Sequence, residues 1–283
     1  MIRRIGLVTL ALALCCGAAL AQKTTRPNYA DVYCSGAVTK ESVSHDTYIV
    51  SGEESVRQAT FAQGDYVYIN KGSADGVKVG DQFSISRPVT DFGRVKWFES
   101  QHTLMRAMGT QWLDVGRVKV VSLTEKVAIA EIVFTCAFMQ RGDYVTPYAA
   151  RPTPTLRFDK FDRFAPVSGK SVGMVVTGKE FIQQVGTFDV VYVNLGTSQG
   201  VKEGDYMRIF RYQGTRHDTA YTTWSYQDRM YGYGSTPARY TWKDLPREIL
   251  GEGIVLRVSE NAATVLITHS LKEIYMGDYV EGK

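Results

Sequence analysis

Two stretches of this chain alternate in the same way. In Tyr66-Val-Tyr-Ile-Asn70 and Val190-Val-Tyr-Val-Asn194 one set of side chains faces a core and the other faces out, the period of a strand. Each is followed by Gly-x-x-x-Gly-Val-x-x-Gly-Asp and then a second run, Gln82-Phe-Ser-Ile-Ser86 or Tyr206-Met-Arg-Ile-Phe210. Residues 65–87 and 189–211 align without a gap, and 12 of 23 positions are identical. The chain therefore carries two copies of one domain. The likeness extends upstream, where Tyr48-Ile-Val-Ser-Gly-Glu-Glu54 matches Met174-Val-Val-Thr-Gly-Lys-Glu180. Downstream it runs from Gly116 to Val145 and from Gly251 to Val280. Between the two aligned blocks the second copy carries eleven extra residues.

The glycines punctuate these strands. Gly72, Gly76 and Gly80, with Gly196, Gly200 and Gly204, read as turn positions with φ > 0. Asp81 and Asp205 follow, and their carboxylates are expected to accept local backbone N–H bonds. Val77 and Val201, inside the loops, should turn inward and plug one barrel end. Gly-Asp occurs five times, but each Asp lacks the alternating Asp/Asn ligands of a calcium loop.

The predicted class is all-β with a minor helical part: two tandem small β-barrel repeats joined by a Pro-rich linker. Closure into a barrel removes exposed strand edges; a sandwich is the alternative. The boundaries are a signal peptide at 1–21, an N-terminal segment at 22–45, repeat 1 at 46–148, the linker at 149–171 and repeat 2 at 172–283. Repeat 2 includes an insertion at 212–250. One short strand is expected within Asp31–Val38, and a short helix in each connector, 55–63 and 181–188. The linker phenylalanines Phe158, Phe161 and Phe164 are expected to dock on a barrel. Each repeat has a full strand set, so 172–283 is expected to fold alone.

The N-terminus changes the cellular picture. Met-Ile-Arg-Arg precedes an apolar run and Ala19-Leu20-Ala21, the pattern of a secretory signal with cleavage before Gln22. Its about 17 apolar or small residues fall short of the ~20 a membrane-spanning helix needs. A lipoprotein reading through Cys15 or Cys16 meets no small residue in front of either cysteine. Without 1–21 the charge falls from +4 to +2, 31 basic against 29 acidic residues. No nucleic-acid partner is implied. Cys34 and Cys136 remain, and an even count in an exported chain suggests one disulfide; two free buried thiols are the alternative.

No catalytic constellation stands out, and no cofactor or metal is expected. Ser168-Gly-Lys-Ser171 has Phe164 where a phosphate loop requires Gly, and a strand should follow it rather than a helix. The four histidines lack partners at zinc-site spacing. What exceeds fold maintenance is a run of aromatics in the insertion. Tyr221, Trp224, Tyr226, Arg229, Tyr231, Tyr233, Tyr240 and Trp242 are the candidate partner or glycan contacts. Such rings with arginines among them have the composition of binding hot spots. The alternative is a loop that only covers its own barrel.

The strand–Gly-x-x-x-Gly-Val-x-x-Gly-Asp–strand unit, followed by Gly-x-Val-x-Val and Gly-Asp-x-Val, resembles the C-terminal domain of the flagellar assembly protein T family. It is also similar to the β-domains that follow LysM modules in bacterial envelope proteins. The resemblance covers 48–148 and 174–282. It implies a non-enzymatic envelope component in the periplasm or outer cell envelope that binds or scaffolds. Its partner would be an envelope protein or a peptidoglycan glycan. The alternative is a self-assembling subunit of an envelope-attached ring or filament.

Overall fold

Both copies fold into eight strands in the same order. The structure of the chain, a computed structural model, describes residues 26–54, 56–90, 96–157, 161–212 and 246–283. A short helix (Tyr29–Tyr33) and β1 (Ala37–Thr39) come first. The first unit then holds β2 (Ile49–Gly52), β3 (Thr60–Phe61), β4 (Tyr66–Ile69), β5 (Gln82–Pro88), β6 (Thr110–Leu123), β7 (Ala128–Thr135), β8 (Met139–Gln140) and β9 (Tyr144–Pro147). The second holds β10 (Val172–Gly178), β11 (Gln184–Val185), β12 (Val190–Val193), β13 (Tyr206–Arg211), β14 (Glu248–Val258), β15 (Ala263–Ser270), β16 (Ile274–Tyr275) and β17 (Tyr279–Gly282). A helix, Gln101–Met108, lies between β5 and β6.

The all-β class with two barrel-like units is what forms. The second unit is a closed barrel in the order β10-β12-β15-β14-β13-β17. The first follows the equivalent path, β2-β4-β7-β6-β5-β9, with β1 added beside β6. Its ends meet at a bridge between Tyr48 and Tyr144 and through backbone bonds from Ile49 to Asp143, Gly142 to Ile49 and Val145 to Thr47, whereas β10 and β17 pair over three residues. Each interior is filled by alternate strand positions: Val67, Ile69, Ala130, Ile132 and Val145 in one, and Val191, Val193, Val265, Ile267 and Val280 in the other. Val77 and Val201 pack against these cores as expected.

The glycine loops follow the expectation in part. Gly76 and Gly200 end 3-10 turns in the left-handed region, at φ 84° and 78°, and Gly80 and Gly204 also have positive φ. Gly72 and Gly196 correct the reading, since both are extended. What excludes a side chain there is proximity: a Cβ would stand 2.4 Å from the carbonyl oxygen of Glu125 or Glu260. All five Gly-Asp carboxylates accept the amide three residues back; Asp81 takes that of Lys78 and Asp205 that of Lys202.

Three other expectations are corrected. The connectors hold the short strands β3 and β11 rather than helices. The stretch expected as one strand is a helix, capped reciprocally by Asn28 and Asp31, followed by β1. In the linker, Leu156 rather than a phenylalanine packs on the outer face of the second barrel, against Tyr206, Ile254, Leu256 and Leu266. Phe164 is exposed, Phe161 meets only the rim at His269, and Phe158 lies outside the described residues.

Cys34 and Cys136 are joined in a disulfide. It closes a loop of 102 residues, which in the chain-entropy view stabilises by up to ~4.7 kcal/mol.

The barrels are not independent. The hydrophobic cluster of the second includes Val38, Phe98, Met105 and Met108 from the N-terminal segment and the first unit. Met108 is 1% exposed, so Met108→Ala should cost about 2–5 kcal/mol. The expected outcome is a lower melting temperature for the whole chain, and a fragment 172–283 that melts below the intact protein by calorimetry.

The linker is also held by charge. Glu281 is fully buried. It accepts from Arg208 and Arg247, which both also donate to the Pro166 carbonyl. Burial pushes the Glu281 carboxyl up. The Arg247 hydrogen bond, the Ser168 amide and the charges of Arg247 and Arg208 outweigh this and hold it below the ordinary glutamate value of 4.5. A depressed acid stabilises the fold above that value and loses its contribution as pH falls through the folded pKa. Thermal melts of Glu281→Gln should therefore lie below wild type at neutral pH and lose less stability on acidification below 4.5.

Candidate interaction surface

The excursion between β5 and β6 is the element of the first unit that reaches across to another barrel. Its helix turns one face inward: Gln101, Met105 and Met108, spaced at i, i+4 and i+7, are the buried ones. Gln101 is satisfied at both ends. Its Nε2 donates to the Val176 carbonyl at 2.9 Å, and its Oε1 accepts the Trp97 amide at 2.8 Å. The Phe98 ring covers Gly277, 3.2 Å from where a Cβ would stand. Trp97 packs on Phe181 with ring centroids 4.5 Å apart. An amphipathic helix and two aromatics are thus seated on one barrel by a strand connection of the other.

Beside this contact lies a polar junction. The Asp114 carboxylate takes both Arg151 nitrogens at 2.7 Å and the Gly36 amide at 2.8 Å, and Arg257 stands 3.5 Å away. Tyr192 Oη donates to the Ser35 carbonyl at 2.8 Å. Burial, and then the Asp114 charge, push the Tyr192 hydroxyl far up, so it stays a neutral donor. Gly36 has φ 68°, and a Cβ there would meet Tyr192 Oη. These groups form hydrogen bonds that hold the fold together.

The other buried charges also have structural partners. Arg87 clamps Asp143, and at the equivalent position Arg211 clamps Asp278. Among the described residues no three His, Cys, Asp or Glu side chains are placed to hold a metal. Cys136 is bonded and is no thiol nucleophile. Ser171 leads directly into strand β10. No helix of the described residues is long and apolar enough to cross a membrane.

Tyr221, Trp224, Tyr226, Arg229, Tyr231, Tyr233, Tyr240 and Trp242 lie outside the described residues. Tyr212, at the root of the insertion, packs edge-on against Phe210 and Tyr279.

Sequence reasoning missed several exposed apolar side chains on the second barrel: Phe181, Ile182, Phe188 and Leu271. Ile182 and Phe188 flank a cleft of about 330 Å3 that also touches the disulfide. Phe188 stands where the first copy has Gly64. It keeps the left-handed conformation of that glycine, with φ 73°. The departure from Gly64 in the alignment was the signal available.

No protein-family model matches the chain, and no curated protein matches it significantly.

A phenylalanine in the left-handed region costs roughly 1–2 kcal/mol, and this one is 67% exposed. Phe188→Gly is therefore expected to leave stability unchanged or raise it by up to ~1 kcal/mol. A denaturant titration showing a loss of about 3–5 kcal/mol, as for a packed phenylalanine, would contradict this account.

Proposed function

We propose that the chain is a non-enzymatic, exported cell-envelope protein that works as a binding and scaffolding module. Its main contact surface is the 212–250 excursion of the second unit. The observation that carries this reading is the use made of the same connection in the first unit, whose β5–β6 excursion seats Phe98, Met105 and Met108 on a neighbouring barrel. The second copy has kept the connection, lengthened it by eleven residues and loaded it with tyrosine, tryptophan and arginine. Tyrosine and tryptophan offer large, stiff, amphipathic area, on which arginine stacks.

The signal-like N-terminus and the Cys34–Cys136 bond support an oxidising, exported location, the periplasm or outer envelope. The resemblance to flagellar assembly protein T and LysM-associated β-domains points the same way. An envelope protein or a peptidoglycan glycan is the partner class this reading names.

The test is the triple change Trp224→Ala, Tyr231→Ala and Tyr233→Ala, followed by thermal melting and by co-sedimentation with purified sacculi or envelope extract. Under the proposal, binding per folded molecule is lost and the melting temperature holds. A lower melting temperature with binding retained would mean that the loop only covers its own barrel.

A further inference from the structure

The face on the second unit that receives the excursion is built from Val176, at the bulge of β10, together with Met276 and Gly277, all buried. The duplication gives the same face on the first unit, at Val50, Arg141 and Gly142. The ladders agree residue by residue. Ile49 pairs with Ile69 and Ser51 with Tyr68, around a bulge at Val50; Val175 pairs with Val193 and Thr177 with Tyr192, around Val176.

The coverage differs. Val50 is 43% exposed, whereas Val176 is 0%. The space over Gly142 is empty out to 4 Å, whereas Phe98 fills it over Gly277. Val56, in the connector that corresponds to the one bearing Phe181, is 99% exposed. Tyr68 is half-buried while Tyr192 is sealed under the N-terminal segment. Apart from His45, whose ring bonds the Gly142 carbonyl and stacks on Tyr144, the first unit thus leaves exposed the surface that the second unit has covered.

The matching donor is in the chain. Residues 213–245 leave the second barrel at Tyr212 and return at Pro246, and 212–242 holds eight tyrosines and tryptophans. The root of this excursion is tied to the linker and to its own barrel. Arg247 donates to the Ala165 and Pro166 carbonyls of the linker, and Glu248 pairs with Arg163 and Lys272. The contact between the units is directional: the first docks on the second, and Asp114 of the junction has Ile249 as its counterpart.

We propose that the open face at Val50, Val56, Tyr68 and Gly142 receives the 212–250 excursion of a second copy, so that chains join head to tail. This rests on the reading of the excursion as a contact surface and names its partner. A heterologous contact of this kind closes into a ring or continues as a filament.

Two blocked chains test it. Val50→Lys with Val56→Lys blocks the open face and leaves the excursion intact; both side chains are exposed, and near-UV circular dichroism verifies the fold. Trp224→Ala, Tyr231→Ala and Tyr233→Ala blocks the excursion and leaves the face intact. In light scattering across a concentration series, the oxidised wild-type chain should grow past a dimer. Each blocked chain alone should stay a monomer, and an equimolar mixture should stop at a dimer. A wild-type chain that stays a monomer, a lysine variant that assembles like wild type, or a mixture that stays monomeric overturns the proposal. If wild type is monomeric but the alanine variant loses sacculus or envelope-protein binding, only the second copy fails as partner. If the alanine variant merely melts lower, the contact-surface reading fails with it.

Discussion

The Asp114 carboxylate is where four parts of the chain meet. It belongs to β6, accepts the Gly36 amide from the N-terminal segment, is clamped by Arg151 of the linker and stands beside Arg257 of the second barrel. Taking a carboxylate and two guanidiniums out of water is costly, and the attraction between them roughly offsets that cost. The net gain lies in register. Arg151 and Arg257 repel, which lowers the Arg257 pKa after burial has already done so. Only a carboxylate between them makes the arrangement tolerable. Without Asp114 two partly buried cations would confront each other with nothing between them. Asp114 thereby joins the linker to both units at one point, beside the Gln101 and Met108 contact.

That constraint explains how two copies of one domain came to have different surfaces. The first unit's excursion, β6 and the N-terminal segment carry the groups that cross the junction, and the second unit meets them with backbone carbonyls and hydroxyls. Ser259 donates to the Val38 carbonyl and Thr264 to that of Gly36. Leu156 and the N-terminal segment cover the outer face of the second barrel from two sides. The N-terminal helix covers part of the first barrel in turn, with Tyr29 on Phe134 and Cys34 bonded to Cys136, and the seam of that barrel is held by the Tyr48–Tyr144 bridge and the backbone bonds around it. Interiors diverged little, as in Ala128 and Ala263 or Ile132 and Ile267, because the close packing of a small barrel penalises volume changes in either direction.

The repeat, the strand order and the turn chemistry were legible because each rests on local rules: alternation of period two, glycine where φ is positive, and aspartate one turn after an amide. The disulfide was legible from the even cysteine count and the signal-like N-terminus. The junction was not. Asp114, Arg151, Arg257 and Gly36 are far apart in sequence, and none sits in a motif; only the path of the linker brings them together. The two-sided use of Gln101 was hidden for the same reason, since a glutamine in a short helix carries no signal that its partner is a bulged carbonyl on another barrel. Gly72 and Gly196 were read correctly as glycines the fold requires, but for the wrong reason. Close approach to a carbonyl and positive φ leave the same mark in a sequence.

Phe188 separates what the fold needs from what it merely tolerates. The turn before β12 asks for a left-handed residue, and the first copy meets this with Gly64. The second copy keeps the geometry and puts an exposed phenylalanine in it, against both backbone preference and the tendency of large apolar rings to be buried. The Phe188 amide makes the bond to the Ile267 carbonyl that Gly64 makes to that of Ile132, so the ring, 67% exposed, adds nothing the turn requires. The ring lies beside Ile182, in the connector whose Phe181 supports Trp97 of the docked excursion. The barrel itself gives no reason to prefer phenylalanine there.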